Sequence, residues 1–188
     1  MIDASRPTFP TSPVVLVLGG ARSGKSDFAE RLIMVSGRRP VYLATATAGD
    51  GEMAERIARH RAQRGPDWLT LEEPLELAAT LRRQSGPDRA VLVDCLTLWL
   101  SNLVFAERDV EAETTRLIAT LRDLPGPVVM VSNEVGLAIV PETALGRSFR
   151  DAQGRLNQRI ASAASDVVLV AAGCPVRLKP APVVEIAL

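Results

Sequence analysis

The sequence predicts an α/β fold in which a mostly parallel central sheet is flanked by helices. Three observations predict it. Short apolar runs alternate along the chain with segments of helical spacing, the pattern of βαβ units. Hydrophobic residues make up 47% of the chain and aromatic residues only 4%, so the core must be built of Val, Leu, Ile and Ala, as in a sheet covered by helices. A glycine-rich run, GGARSGKS at 19–26, stands between an apolar run and a helical one.

The elements follow in order. Residues 1–13, MIDASRPTFPTSP, hold three prolines with Ser and Thr and read as a disordered lead-in, which leaves 14–188 as one domain. VVLVL (14–18), ending at Gly19, reads as a buried strand. SDFAERLIMV (26–35) has helical spacing, and VYLAT (41–45) is a second strand. GEMAERIARHRAQR (51–64) reads as a helix stopped by Gly65-Pro66. An extended piece at 69–71 leads to a helix over 74–84, with Pro74 near its start. AVLVD (90–94) is a third strand, followed by helices over 96–106 and 110–124. PVVMVS (127–132) is a fourth strand, 149–165 a helix, DVVLVAA (166–172) a fifth strand and VRL (176–178) a small terminal one.

Charge and cysteine usage narrow the class. Lys+Arg and Asp+Glu are both 22, a formal net charge of zero, which argues against a nucleic-acid partner. Cys95 and Cys174 form no CxxC pair and the chain has one histidine, so no zinc site is expected and the usage fits a reducing cytoplasm. The N-terminus lacks a cationic segment followed by an apolar run, and no apolar run reaches membrane-spanning length.

GGARSGKS matches G-x-x-x-x-G-K-[ST] with the required strand before it and helix after it. Glycines let the backbone curl until successive N–H groups point at one anion, and the helix that follows adds its N-terminal partial charge. Gly19, Gly20, Ala21, Arg22, Ser23, Gly24, Lys25 and Ser26 are therefore the candidate nucleotide-phosphate cradle. Lys25 supplies a cation for the β- and γ-phosphates, and the Ser26 hydroxyl a ligand for Mg²⁺. A second Mg²⁺ contact is expected from a carboxylate at a neighbouring strand end, where Asp94 stands; the alternative is that Asp94 caps the helix beginning at 96. Thr45, Ala46 and Thr47 end the second strand, and Ser132, Asn133 and Glu134 the fourth. In a parallel sheet all lie along the edge that holds the phosphate loop. Thr45–Thr47 are candidates for nucleotide contact, whereas Asn133 and Glu134 serve either the site or the turn.

The single histidine, His60, lies in ERIARHRAQR (55–64) among four arginines. On a helix Arg56, His60 and Arg64 form one row, with Met53 and Ile57 beside it, so His60 sits at the border of the buried stripe. Arginine charges on that row disfavour a protonated imidazole, and a neutral imidazole is what attack on phosphorus requires. An incidental histidine on a solvated face satisfies the same spacing.

In this order GGARSGKS, EMAERIARHRAQRGPDW, VLVDCLTLWLSNL, VSNEVGLAIVPE and GRSFRDAQGRLNQRIA resemble the bifunctional adenosylcobinamide kinase/adenosylcobinamide-phosphate guanylyltransferase family, over about 14–179. The resemblance implies a RecA-like P-loop fold, a homotrimer, and two reactions. ATP or GTP phosphorylates adenosylcobinamide. GTP then gives up GMP to the resulting phosphate, through a GMP–histidine intermediate for which His60 is the residue available. Nucleotide contacts carry over onto Gly19–Ser26, Thr45–Thr47, Arg61, Ala62, Gln63, Arg64, Glu72 and Asp94. Glu134 is a candidate base for the kinase step. Arg147, Arg150 and Asn157 are candidates for corrinoid or subunit contact. A P-loop ATPase acting as a switch or nucleic-acid motor is the reading from another class, and the neutral charge counts against it.

Overall fold

The computed structural model describes residues 11–46 and 65–180. The expected helix over 51–64, with Met53, Arg56, Ile57 and His60, lies outside the described residues, as do residues 1–10 and 181–188. The described elements are β1 (Val14–Gly19), α1 (Lys25–Val35), β2 (Arg39–Ala44), β3 (Leu69–Glu72), α2 (Leu77–Gln84), β4 (Arg89–Asp94), α3 (Leu96–Phe105), α4 (Val110–Arg122), β5 (Val128–Asn133), α5 (Ala144–Ala163), β6 (Asp166–Ala171) and β7 (Cys174–Lys179).

The strands form one sheet in the order β3-β2-β4-β5-β1-β6-β7. All neighbouring pairs are parallel except β6–β7. Alternation along each strand sends successive side chains to opposite faces. Leu16, Leu43, Val91, Val93 and Met130 face α2–α5, where they meet Leu77, Leu81, Trp99, Leu117 and Ile160. Val17, Tyr42, Leu92, Val129 and Val131 face the other way and pack on Ala29 and Ile33 of α1. Helix α1 covers that second face, and Leu98 of α3 also packs against it. Both faces are buried, which is why the strands read as nearly continuous apolar runs.

Several boundaries differ from expectation, and polar side chains explain why. The helix expected from Pro74 begins at Leu77 because the Glu73 carboxylate first organises a turn. Its Oε1 accepts from the backbone N–H of Leu75 (3.1 Å) and Glu76 (2.8 Å), and its Oε2 accepts from the Thr80 hydroxyl (2.8 Å). Burial pushes the Glu73 pKa up, but these hydrogen bonds and nearby Arg83 outweigh it and hold the carboxyl below its usual range. Helix α5 starts at Ala144, ahead of the expected 149, because the Thr143 hydroxyl caps the Gly146 N–H at 3.1 Å. At α4 the Asp109 carboxylate caps Glu111 and Ala112. Strand β7 is longer than the expected 176–178, since it pairs along β6.

The expectation of a disordered lead-in through residue 13 is corrected at its end. The Thr11 hydroxyl donates to the carbonyls of Arg122 (3.3 Å) and Leu124 (3.2 Å), and Pro13 O accepts from Val128 N–H at 3.0 Å. No helix of the described residues is long and apolar enough to cross a membrane.

Candidate active site

The phosphate loop leaves β1 at Gly19, which stands opposite Asn133 of β5. The loop turns back on itself through Arg22 and Gly24, at φ 55° and 90°. The positive φ at Gly24, directly before α1, is a conformation that side chains disfavour. At Gly19 the constraint is space. A Cβ there would lie 2.4 Å from Ser23 Oγ and 2.6 Å from Val170 O, whereas one at Gly20 would meet nothing within 4 Å. Ser23 N–H donates to Gly20 O at 3.3 Å, and Gly173 N–H braces the loop by donating to Ser23 O at 2.8 Å. Gly20, Ala21 and Arg22 are exposed, Ser23 is buried, and Gly24, Lys25 and Ser26 are half-buried. Lys25 opens α1, and its ammonium donates to Gly20 O at 3.0 Å, so the cation is held over the loop.

The parallel register carries the other candidate groups to the same edge: Asp94 pairs with Val131 of β5 and with Ala44 of β2, and Ala44 with Glu72 of β3. At about 4.8 Å per strand, Asp94 stands two strands and about 10 Å from β1, the end of β2 about 14 Å, and Glu72 about 19 Å. Asp94 is thus the carboxylate of this group nearest the loop, while the exposed Glu72 sits at the far end of the edge.

Asp94 does not cap α3. The residue before that helix is Cys95, which makes no side-chain cap, and Asp94 Oδ2 instead accepts from the Tyr42 hydroxyl at 2.8 Å. Asp94 shares its sheet face with Tyr42, the face covered by α1, so it lies on the side from which Ser26 and Lys25 begin their helix. Burial first, then the Asp94 charge, pushes the Cys95 thiol up to about 11, and the Lys25 charge acts in the opposite sense.

Thr45, expected to contact the nucleotide, is tied into the scaffold. It is 0% exposed, its hydroxyl donates to Cys95 O at 2.7 Å and accepts from Cys95 N–H at 2.9 Å, and its N–H donates to Asp94 O at 3.1 Å. Its carbonyl accepts from Asn102 Nδ2 at 2.7 Å, and the same nitrogen donates to Pro74 O at 3.1 Å. Thr45 is a strut between the ends of β2 and β4. Ala46 is half-buried beside it. Thr47, His60, Arg61, Ala62, Gln63 and Arg64 lie outside the described residues.

At the end of β5 the polar residues serve the scaffold. Asn133 N–H donates to Thr97 Oγ1 (2.9 Å), Glu134 N–H to Gly19 O (3.1 Å), and Glu134 Oε1 accepts from Gly136 N–H (3.1 Å). That turn engages the carboxylate expected as a candidate base. Asn157 is corrected likewise: at 5% exposure it is no surface contact, and its Oδ1 accepts from Ser132 Oγ (2.7 Å) and Gln153 Nε2 (2.9 Å) while its Nδ2 donates to Asn133 O (3.1 Å). Arg147 holds the Pro141 and Glu142 carbonyls, and Arg150 pairs with Asp151.

Residues 15–178 match the family described as cobinamide kinase / cobinamide phosphate guanyltransferase. The chain belongs to this family. It is similar to the bifunctional adenosylcobalamin biosynthesis protein CobP of Pseudomonas aeruginosa, with 52% identity over 89% of this chain and 98% of the relative. It is also similar to the bifunctional adenosylcobalamin biosynthesis protein CobU of Escherichia coli, with 41% identity over 88% of this chain and 99% of the relative. Among solved structures it resembles the flagellar accessory protein FlaH from Methanocaldococcus jannaschii, with TM-score 0.49, 12% identity, and 91% of this chain and 80% of that chain covered.

As a member of the cobinamide kinase / cobinamide phosphate guanyltransferase family, the chain is a transferase, whose described residues build a mostly parallel seven-stranded sheet flanked by helices. The loop leaves β1, and β5 separates β1 from the strand bearing Asp94. Among the described residues no three His, Cys, Asp or Glu side chains gather into a metal site. Ser26 and Asp94 do offer a hydroxyl and a carboxylate, hard oxygen donors of the kind that hold Mg²⁺ together with substrate phosphates. Sequence reading missed Tyr42 and Asn102. Tyr42 carried a usable signal: two positions before the strand end, it shares a face with Ala44 and hence with the paired Asp94.

Gly19→Ala in this family member is expected to lower the apo melting temperature by several degrees, whereas Gly20→Ala leaves it within a degree, read by calorimetry. Equal melting temperatures would contradict the packing around Gly19. A raised Cys95 pKa makes the folded state hold its proton more tightly than the unfolded state. The stability it contributes is whole below the unfolded thiol pKa, near 9, and is lost as pH rises toward about 11. Urea midpoints measured from pH 8 to 11 should fall less steeply for Cys95→Ala than for the parent.

Proposed function

We propose that the protein catalyses both reactions of its family in cobalamin biosynthesis, first as adenosylcobinamide kinase and then as adenosylcobinamide-phosphate guanylyltransferase. The observation that carries this reading is the phosphate loop at the carboxyl edge of the sheet, with Lys25 held over it and Asp94 on the same face as its helix.

In the kinase step the terminal hydroxyl oxygen of adenosylcobinamide attacks the γ-phosphorus of ATP or GTP. The bond to the β,γ-bridging oxygen breaks, the nucleoside diphosphate leaves, and the hydroxyl proton passes to solvent or a base. The backbone N–H groups of the loop and the Lys25 ammonium stabilise charge on the phosphoryl oxygens. Ser26 and Asp94 would hold Mg²⁺ together with the phosphates, and the ion would supply further neutralisation of that charge. In the transfer step a His60 imidazole nitrogen attacks the α-phosphorus of GTP and pyrophosphate leaves. A phosphate oxygen of adenosylcobinamide phosphate then displaces His60 to give adenosylcobinamide-GDP. Dividing the transfer in two lets each displacement proceed with a good leaving group.

Incubation with α-labelled GTP tests the second step. Acid-labile, alkali-stable label is expected on the protein and absent from His60→Ala, which still phosphorylates adenosylcobinamide. An unlabelled parent protein overturns the covalent mechanism. Lys25→Ala is expected to slow the kinase reaction on the order of 100-fold or more, and normal turnover removes the loop from the reaction. On resemblance we also assign a cytoplasmic location and a homotrimer; sedimentation as a single chain contradicts the latter.

A further inference from the structure

Tyr42 is the only tyrosine of the chain, and it is 5% exposed. A phenol buried in an apolar face normally costs stability unless its hydroxyl finds a partner. Here the partner is Asp94 Oδ2, at 2.8 Å, a charge-assisted bond across the β2–β4 pair. The bond runs diagonally, since Tyr42 pairs with Leu92 and Asp94 lies one step further along the same face. The phenol ring is fixed as well. The Trp68 ring, itself 9% exposed, meets it edge-on with centroids 6.1 Å apart and planes at 80°. Ala44, Ala90, Leu92 and the α1 residues Ala29 and Ile33 belong to the same packed cluster. With its ring locked, the hydroxyl can satisfy itself at that carboxylate oxygen without searching among rotamers.

We propose that Tyr42 is a positioning residue of the transferase: by donating to one oxygen of Asp94 and being wedged by Trp68, it holds the carboxylate turned toward the N-terminus of α1, with its other oxygen presented to the metal–phosphate group. The carboxylate stands at a strand end, where one carbon–carbon bond would otherwise let it rotate between the loop and the solvent edge. Groups that hydrogen-bond a ligand orient it and tune its affinity, and their loss weakens metal binding even though they never touch the metal. This proposal rests on the assignment of Asp94 to the metal.

The test measures metal affinity directly, by electron paramagnetic resonance of free Mn²⁺ titrated into the full-length protein saturated with an α,β-methylene GTP analogue. Tyr42→Phe removes one oxygen and keeps the ring; it is expected to weaken Mn²⁺ binding on the order of tenfold while metal-free binding of a fluorescent GTP analogue stays unchanged. Asp94→Asn is expected to weaken Mn²⁺ more, and adding Tyr42→Phe to it to cause no further loss. Should Asp94→Asn weaken binding while Tyr42→Phe does not, the positioning role is overturned and the metal assignment stands. Should Asp94→Asn also leave Mn²⁺ affinity intact, the metal assignment fails and takes the proposal with it. Trp68→Leu, which keeps the hydroxyl but frees the ring, is expected to give a smaller loss, and parent-like affinity there removes Trp68 from the arrangement.

Discussion

The ladder between β1 and β5 sets Gly19 opposite Asn133, and from that pairing the rest of the site takes its place. Parallel strands bring their carboxyl ends to one edge, so the register of a few backbone hydrogen bonds decides which residues surround a ligand there. From β1 outward the edge reads as phosphate loop, Asn133, Asp94, Ala44 and Glu72. A slip of one residue in β4 would turn Asp94 to the opposite face, away from α1 and into the aliphatic cluster beneath α3. Val91, Leu92 and Val93, all buried, guard against that slip, because it would bury a charge and send three close-packed side chains to the wrong face at once.

Beneath this edge the fold keeps a small polar network where an apolar layer would have been simpler. Ser132, Gln153 and Asn157 are all buried and bonded to one another, and Asn157 reaches the Asn133 carbonyl. Such a network is worth keeping only when nearly all of its members are satisfied, since a lone buried amide costs more than a bonded one returns. It ties α5 to the strand end beside the phosphate loop, so the tip of β5 cannot drift from Gly19 without breaking several bonds together. Gln153 Oε1 is the one atom of the group without a partner among the described residues.

The sheet was legible because burial on both faces demands unbroken apolar runs, and VVLVL, AVLVD and PVVMVS have few other uses. The phosphate loop was legible because its glycines answer to sterics: Gly19 has no room for a side chain and Gly24 has a positive φ. Helix starts were less legible. A Glu73 that bonds ahead of its helix and a Thr143 that caps one have the same composition as ordinary loop residues until the partner N–H is known. Thr45 and Asn157 show the same difficulty from the other side. A polar residue near a site reads as a ligand contact in sequence, yet both spend their hydrogen bonds within the protein. Tyr42 shows that pairing, and not the motif alone, reveals what steadies a carboxylate.

One amide, Asn102 Nδ2, holds both Thr45 O and Pro74 O. These carbonyls stand just before and some way after the part of the chain that contains His60. A single side chain on α3 therefore staples the exit from β2 to the turn beyond β3, independently of the residues between. In polymer terms this bond joins two distant points of the chain, so the entropy of bringing them together is borne by the scaffold. The carboxyl edge thus has two anchored margins: a phosphate loop whose Gly19 leaves no room for a side chain, and a strand end tied down by one amide.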